Sequence, residues 1–369
     1  MLNDPRPIVV IAMNAFRPGG SQSYAFTLSR MLADRGVRPV LIAKSGLWAK
    51  EAASIAQARR VVWREGSAAN HLRLLRGGIL RLGEAGSALR VGHLLRSASL
   101  VISSQPGPTS FFSEKSNRNW PDVRRAALVH GVSQVEWPFR QHTKVIDGLD
   151  ALFAATPETL DMLRLQAPTK RAQLIGNLFR AEDFWGSRGS SVIENYSRDG
   201  PVVFLGTLTP NKTVPLRSLL RSMKSIRQDL IVVGGGPDLG ELMSLAEVYG
   251  VLGKVNFVGS KTDPRPYMES ASVVISGGRG AIESLSAGRP TIVATSDGLH
   301  GLVRQQDLHD LEMHNFTGRT SQSVTSTSEQ MLAEVNAGSF LAPSERAAIA
   351  SQMRSVGSID PILRAIDRC

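Results

Sequence analysis

Short continuous apolar runs alternate along this chain with longer stretches whose apolar positions repeat at helical spacing. In the first half the runs at 8–13, 39–43, 60–63, 100–103, 127–130 and 151–155 read as strands covered on both faces. Between the first two, residues 21–35 read as an amphipathic helix with Ser21 as its cap and Gly36 as its stop. In the second half, runs at 202–205, 230–233, 254–258, 273–275 and 291–294 alternate with helices at about 214–227, 239–249, 265–270 and 281–287. Strand–helix alternation of this kind predicts an α/β fold with parallel sheets wrapped by helices. The pattern breaks over 186–200, where Gly, Ser, Arg and Asp replace apolar periodicity. The expected organisation is therefore a domain over 1–185, a linker over 186–200, a second domain over 201–343 and a helical tail over 344–369. Two doubly wound, Rossmann-like domains facing a central cleft would present ligand loops at the carboxyl ends of their strands.

At 369 residues, 42% apolar and with 34 glycines, the chain can build two substantial cores and many tight turns. Its one cysteine, Cys369, excludes a disulfide framework and a thiolate metal site, which fits a reducing cytoplasm. Charged and turn residues precede the short apolar run 8–12, and no run approaches the length of a membrane span. Neither a secretory leader nor a transmembrane helix is expected.

The formal charge of +11 points to an anionic partner. It is concentrated in the Arg59–Arg96 region, where Arg59, Arg60, Arg64, Arg73, Arg76, Arg81, Arg90 and Arg96 interleave with leucines against only Glu65 and Glu84. Two readings stand: helices with a solvated basic face and an apolar face in the core, or basic amphipathic helices lying on an anionic membrane surface. No zinc spacing, RNA-binding aromatic signature or helix-turn-helix supports nucleic acid as the partner.

The densest chemistry lies in 273–294, VVISGGRGAIESLSAGRPTIVA. It reads as strand, glycine loop, short helix and strand. Gly277, Gly278 and Gly280 permit close approach of a ligand to the backbone, and the helix start favours an anion. Arg279 adds a fixed charge, and Glu283 sits one turn in, where it can accept from sugar hydroxyls. Gly19-Gly20-Ser21 occupies the equivalent strand–loop–helix position near the start, without a full dinucleotide fingerprint or a P-loop lysine. Gly206 and Thr207 open a loop that carries Lys212, a candidate to neutralise a diphosphate leaving group. Gly234-Gly235-Gly236-Pro237-Asp238 reads as a structural turn beside a nucleotide. His130 ends a strand, and either a structural or a substrate-contacting acid–base role is open to it.

Taken in order, several segments resemble the GT-B glycosyltransferases, and most closely the retaining family 4 type. They are Pro18-Gly19-Gly20-Ser21, Ile175-Gly176-Asn177 with Asp183-Phe184, Gly206 to Lys212, Val233 to Pro237, Val255 to Gly259 with Asp263 and Tyr267, and Glu283-Ser284-Leu285-Ser286-Ala287-Gly288-Arg289-Pro290. The resemblance implies sugar transfer from a nucleotide diphosphate-sugar donor to a glycan, lipid-linked or small-molecule acceptor, with retention, no metal and no further cofactor. It also suggests polysaccharide biosynthesis at the inner face of the membrane. By the same resemblance Glu283 holds the ribose hydroxyls, Lys212 the departing diphosphate, and His130 lies near the transferred sugar or the acceptor. Gly19, Gly20, Gly206, Thr207, Gly236, Gly277, Gly278 and Gly280 would line the donor. The chain departs from the family in two places: Ile275 stands where a carboxylate is usual, and Thr207 where an arginine is usual. Arg279 would supply the missing cation. An inverting transferase, a nucleotide-sugar epimerase and a degenerate GT-B binding protein remain as alternatives.

Overall fold

β1 (Ile8–Ala15) is buried at every position but Asn14. A run of Ile, Val and Met with no polar alternation is what a central parallel strand requires, since helices cover both of its faces. In a computed structural model that describes residues 6–16, 19–44, 48–60, 92–114, 122–132, 143–186, 191–296, 298–319, 327–338 and 340–367, β1 lies inside a parallel sheet. The sheet continues with β2 (Arg38–Lys44), β3 (Gln57–Arg60), β4 (Ala98–Ser104), β5 (Arg124–Val129), β6 (Ala151–Ala154) and β7 (Ala172–Leu174). Their order is β3-β2-β1-β4-β5-β6-β7, so the winding direction reverses between β1 and β4. The helix Gly20–Asp34 buries Tyr24, Phe26, Leu28 and Leu32 against this sheet, and Gly36 (φ 74°) turns the chain out of it.

A second sheet repeats the plan after the two-residue strand β8 (Phe179–Arg180). It contains β9 (Val202–Leu205), β10 (Leu230–Val233), β11 (Val255–Gly259), β12 (Val273–Ser276), β13 (Thr291–Thr295) and an antiparallel β14 (Gly298–Leu302). The order β11-β10-β9-β12-β13-β14 reverses between β9 and β12. Each unit is thus doubly wound, with a topological switch point at the carboxyl ends of its central strands, where such folds bind ligands.

The chain divides into one unit of Met1–Leu178 and Gly357–Cys369 and another of Phe179–Val356. This differs from a linker at 186–200 followed by a separate tail. The segment after Trp185 belongs to the second unit: Tyr196 lies under the Arg346 guanidinium, 3.8 Å from ring centroid to Cζ, and its hydroxyl donates to the Ser272 carbonyl. The helix Pro343–Gln352 also stays there, burying Ile349 beside Leu285. The chain then forms β15 (Ser355–Val356), antiparallel to β8, and returns to the first unit. There the helix Asp360–Ile366 adds Ile362 and Ile366 to the β1 core. Apolar residues at helical spacing near the end of the chain are the mark of this docking; they complete a core rather than form a tail.

Two local expectations change as well. Gly19, not Ser21, is the cap residue of the first helix, and no side chain caps it. Arg59 and Arg60 stand in strand β3, so the basic region does not begin as a helix. The rest of that region from 61 to 91 lies outside the described residues. Among the described residues no helix is long and apolar enough to cross a membrane.

Candidate functional site

In the second unit β9 lies between β10 and β12, so the loops that follow these three strands are neighbours at one edge of the sheet. The first two interlock through backbone. Gly206 N–H donates to Val233 O (3.1 Å), Leu208 N–H to Gly235 O (3.0 Å) and Asp238 N–H to Leu208 O (3.2 Å). A Cβ on Gly236 would stand 2.1 Å from the Leu208 carbonyl oxygen, so this glycine serves loop–loop packing. The buried Asp238 carboxylate then accepts from Thr213 Oγ1 (2.6 Å) and from Arg217 Nη2 (3.0 Å). This network fixes the loop that exposes Thr207 and Lys212. The Lys212 ammonium makes no ion pair among the described residues.

The third loop carries Gly277 and Gly278 into the helix Arg279–Ser286. Gly278 caps that helix in a left-handed conformation (φ 59°), and its N–H donates to the Phe316 carbonyl (2.8 Å). A Cβ on Gly280 would stand 2.3 Å from Ser276 Oγ, and one on Gly277 would stand 2.4 Å from Thr295 Cγ2. These two glycines therefore let the helix and loop seat closely on the sheet. Asn315 (φ 57°) and Phe316 (φ 51°), beneath the loop, are both left-handed without being glycine. Strain of that kind persists only where surrounding packing enforces it, and Phe316 is fully buried.

The helix is held on two sides. Ser286 Oγ accepts from Trp185 Nε1 (2.9 Å) and donates to the Glu283 carbonyl (2.7 Å), while Ser284 and Thr291 share a buried hydroxyl pair at 2.9 Å. On the remaining face Arg279 Nε donates to Glu283 Oε1 at 3.0 Å, with each side chain less than a tenth exposed. The Arg279 guanidinium also lies 5.0 Å from the centroid of the buried Phe179 ring. Burial pushes the Glu283 carboxyl above its ordinary range, and the Arg279 charge and hydrogen bond pull it back. Ile275 lies in mid-sheet, fully buried and paired with Ile292 and Phe204, so it contributes to the core and not to the loop that follows the strand.

The switch point of the first unit has a different composition. Gly19 and Gly20 start the first helix, and Ser21 follows with its hydroxyl accepting from Gln105 Nε2 (3.0 Å). Gln105 Oε1 accepts in turn from the Asn14 N–H (2.9 Å), which ties the end of β4 to the end of β1. Gln105 is left-handed (φ 84°). His130, at the end of β5, lies with Nε2 2.8 Å from Ser104 Oγ. The Tyr24 ring meets the imidazole edge-on at 4.8 Å, and the Tyr24 hydroxyl donates to Gly176 O (2.7 Å). Asn14, Tyr24, Ser104 and Gln105 were not foreseen: no motif marks them, and only the strand ends could have suggested them. Among the described residues no group of His, Cys, Asp and Glu could hold a metal ion.

The comparisons agree with this architecture. Residues 200–354 match the family model of glycosyl transferases group 1. No curated protein matches the sequence. HepE of Anabaena, in complex with UDP and glucose, superposes with a TM-score of 0.67 at 14% identity over 98% of each chain. Sucrose-phosphate synthase of Thermosynechococcus elongatus gives 0.60 at 16% identity, over 98% of this chain and 100% of that one. WaaG, a glycosyltransferase of lipopolysaccharide biosynthesis, gives 0.57 at 15% identity over 94% of each. The fold is therefore that of the GT-B enzymes. Within that fold, residues 200–354 carry the match to the glycosyl transferases group 1 model.

Proposed function

We propose that the protein transfers a sugar from a nucleoside diphosphate-sugar to a hydroxyl acceptor, with retention of anomeric configuration. The observation that carries this reading is the switch point of the segment matched by the group 1 model, where the exposed Lys212, on the loop after β9, and the buried Glu283, on the helix after β12, follow neighbouring strands. A carboxylate on a fixed helix suits the two ribose hydroxyls, and a solvent-exposed ammonium suits the departing diphosphate. Retention without a protein nucleophile places the demand on leaving-group stabilisation, which Lys212 answers. HepE, in its complexes with UDP and UDP-glucose, makes uracil the first base to try.

The acceptor side is assigned to His130, Ser104 and the Gln105 bridge, with a glycan, a lipid-linked sugar or a small molecule as acceptor class. The Arg59–Arg96 region would bring a lipid-linked acceptor within reach by contact with an anionic membrane surface. The test is a thermal-shift and calorimetric screen against UDP, GDP and ADP and their sugars, followed by product analysis. One diphosphate should raise the melting temperature at saturating concentration, and its sugar should be transferred with its anomeric configuration kept. Absence of binding to every member of the panel removes the reading.

A further inference from the structure

The sequence suggested that Arg279 stands in for a missing cation at the diphosphate, yet its guanidinium is committed elsewhere. Nε is bonded to Glu283 Oε1, and the guanidinium is stacked on Phe179, a residue wholly buried at the opening of the second unit. The other Glu283 oxygen, Oε2, has no hydrogen bond among the described residues, although the side chain is 8% exposed. An ionised carboxylate this deep requires partners for its lone pairs. Arg279 occupies one oxygen and leaves the second, which is not fully buried, open to a ligand hydroxyl or to water.

We propose that Arg279 is a positioning residue for the ribose: it aims the Glu283 carboxyl, so that Oε2 accepts from a ribose hydroxyl of the donor, and the diphosphate is left to Lys212 and loop backbone. This rests on the donor reading above and specifies how its ribose subsite is built. Burial opposes ionisation of Glu283, and Arg279 is the charged group that counters it. Neighbouring charges are engaged among themselves: Arg180 with Asp183 at 2.7 Å, and Arg289 and Arg346 around Tyr196. The stacking on Phe179 holds the guanidinium plane, which a lysine ammonium cannot reproduce in full.

The two possible sites of action separate by ligand length. Calorimetry with UDP, UMP and uridine, or with the GDP or ADP series if the screen selects that base, would be run on the wild type, Arg279→Met and Arg279→Lys. If Arg279 acts through the Glu283 carboxylate at the ribose, all three ligands weaken by the same factor, about tenfold or more in Arg279→Met, with partial recovery in Arg279→Lys. A group acting on the diphosphate weakens UDP alone and leaves UMP and uridine unchanged; that result overturns the proposal. Equal affinities in wild type and Arg279→Met for all three ligands overturn it too. Thermal melts of each variant establish that the helix is intact, and Arg279→Lys keeps the test valid should Arg279→Met fold poorly. Should the wild type bind no member of any series, the donor reading itself falls, which is a separate outcome.

Discussion

The two switch points share a topology and differ in what they present. In the first unit the strand ends are joined by polar side chains: Gln105 bonds the Asn14 backbone N–H and the Ser21 hydroxyl, and Ser104 bonds His130, which links β1 to β4 and β4 to β5. In the second the loops are held together by backbone bonds at glycines and by the Asp238 carboxylate, and charged side chains, Lys212, Arg279 and Glu283, stand on the elements that follow β9 and β12. On the donor and acceptor reading proposed above, this difference would let one fold serve two ligand types. A backbone-lined rim offers N–H groups and fixed charges to an anionic, invariant group. A rim of neutral donors and acceptors suits hydroxyls, whose pattern varies from one sugar to another.

The sharpest way to break this contrast is at Lys212. Lys212→Met should lower kcat by about 10²–10³ if the ammonium stabilises the leaving diphosphate. The melting temperature should stay unchanged, because the side chain is exposed. A normal kcat would return the second rim to pure backbone chemistry. Next comes Glu283→Gln, expected to weaken nucleoside diphosphate binding about a hundredfold, or roughly 3 kcal/mol. The raised carboxyl gives the pH dependence a definite sign. On acidification Glu283 takes its proton at a higher pH than an ordinary glutamate, so wild-type affinity falls earlier than it would for an exposed carboxylate. Through this group alone folding responds in the opposite sense: a raised native pKa favours the native state below the unfolded value and loses that contribution as pH rises through the native one. Titrating affinity and melting temperature over the same pH range checks both signs. The smallest effect belongs to the first rim. Gln105→Gly relieves a left-handed glutamine but removes its two bonds, so stability should change by less than about 1 kcal/mol. A denaturation midpoint that drops well beyond this would mean that the neutral network, and not only the sheet beneath it, holds the first rim in shape.

Much of this was legible in the chain, and the second unit was read more accurately than the first. β9 and β10 have the boundaries that their apolar runs dictate, because Val, Ile and Leu flanked by glycine admit few other placements. The helix after β9 ends at Ser222 rather than about 227, since Met223 and Ile226 leave the helix while remaining in the core. β14 was missed: Gly298-Leu299-His300-Gly301-Leu302 has no strand propensity, and its pairing with β13 is a tertiary effect. β3 was placed three residues late, as an edge strand with arginines carries little pattern. At the site, Glu283 and Lys212 could be named from spacing. The Arg279–Glu283 pair could have been noticed from its i,i+4 offset, a spacing that places two side chains on one helix face. The Gln105 bridge could not, because it joins residues 91 and 84 positions apart through geometry that only the sheet order creates.

The antiparallel pairing of Phe179 with Val356 has a consequence for how this molecule can be taken apart. The second unit begins and ends on adjacent residues of one small ribbon, so it is inserted into the first like a cassette with both cut points side by side. In the first unit, Gly176 and Gly357 are packed so closely that a Cβ on Gly176 would stand 2.7 Å from Gly357 Cα, and one on Gly357 would stand 2.6 Å from the Ile175 carbonyl oxygen. Residues 179–356 can therefore be excised, or circularly permuted through a short link between their ends, without stretching the chain. The remainder can be rejoined from 178 to 357 in the same way. The matched segment 200–354 falls wholly inside the cassette, so a cut at these two points would carry the whole of it in one piece.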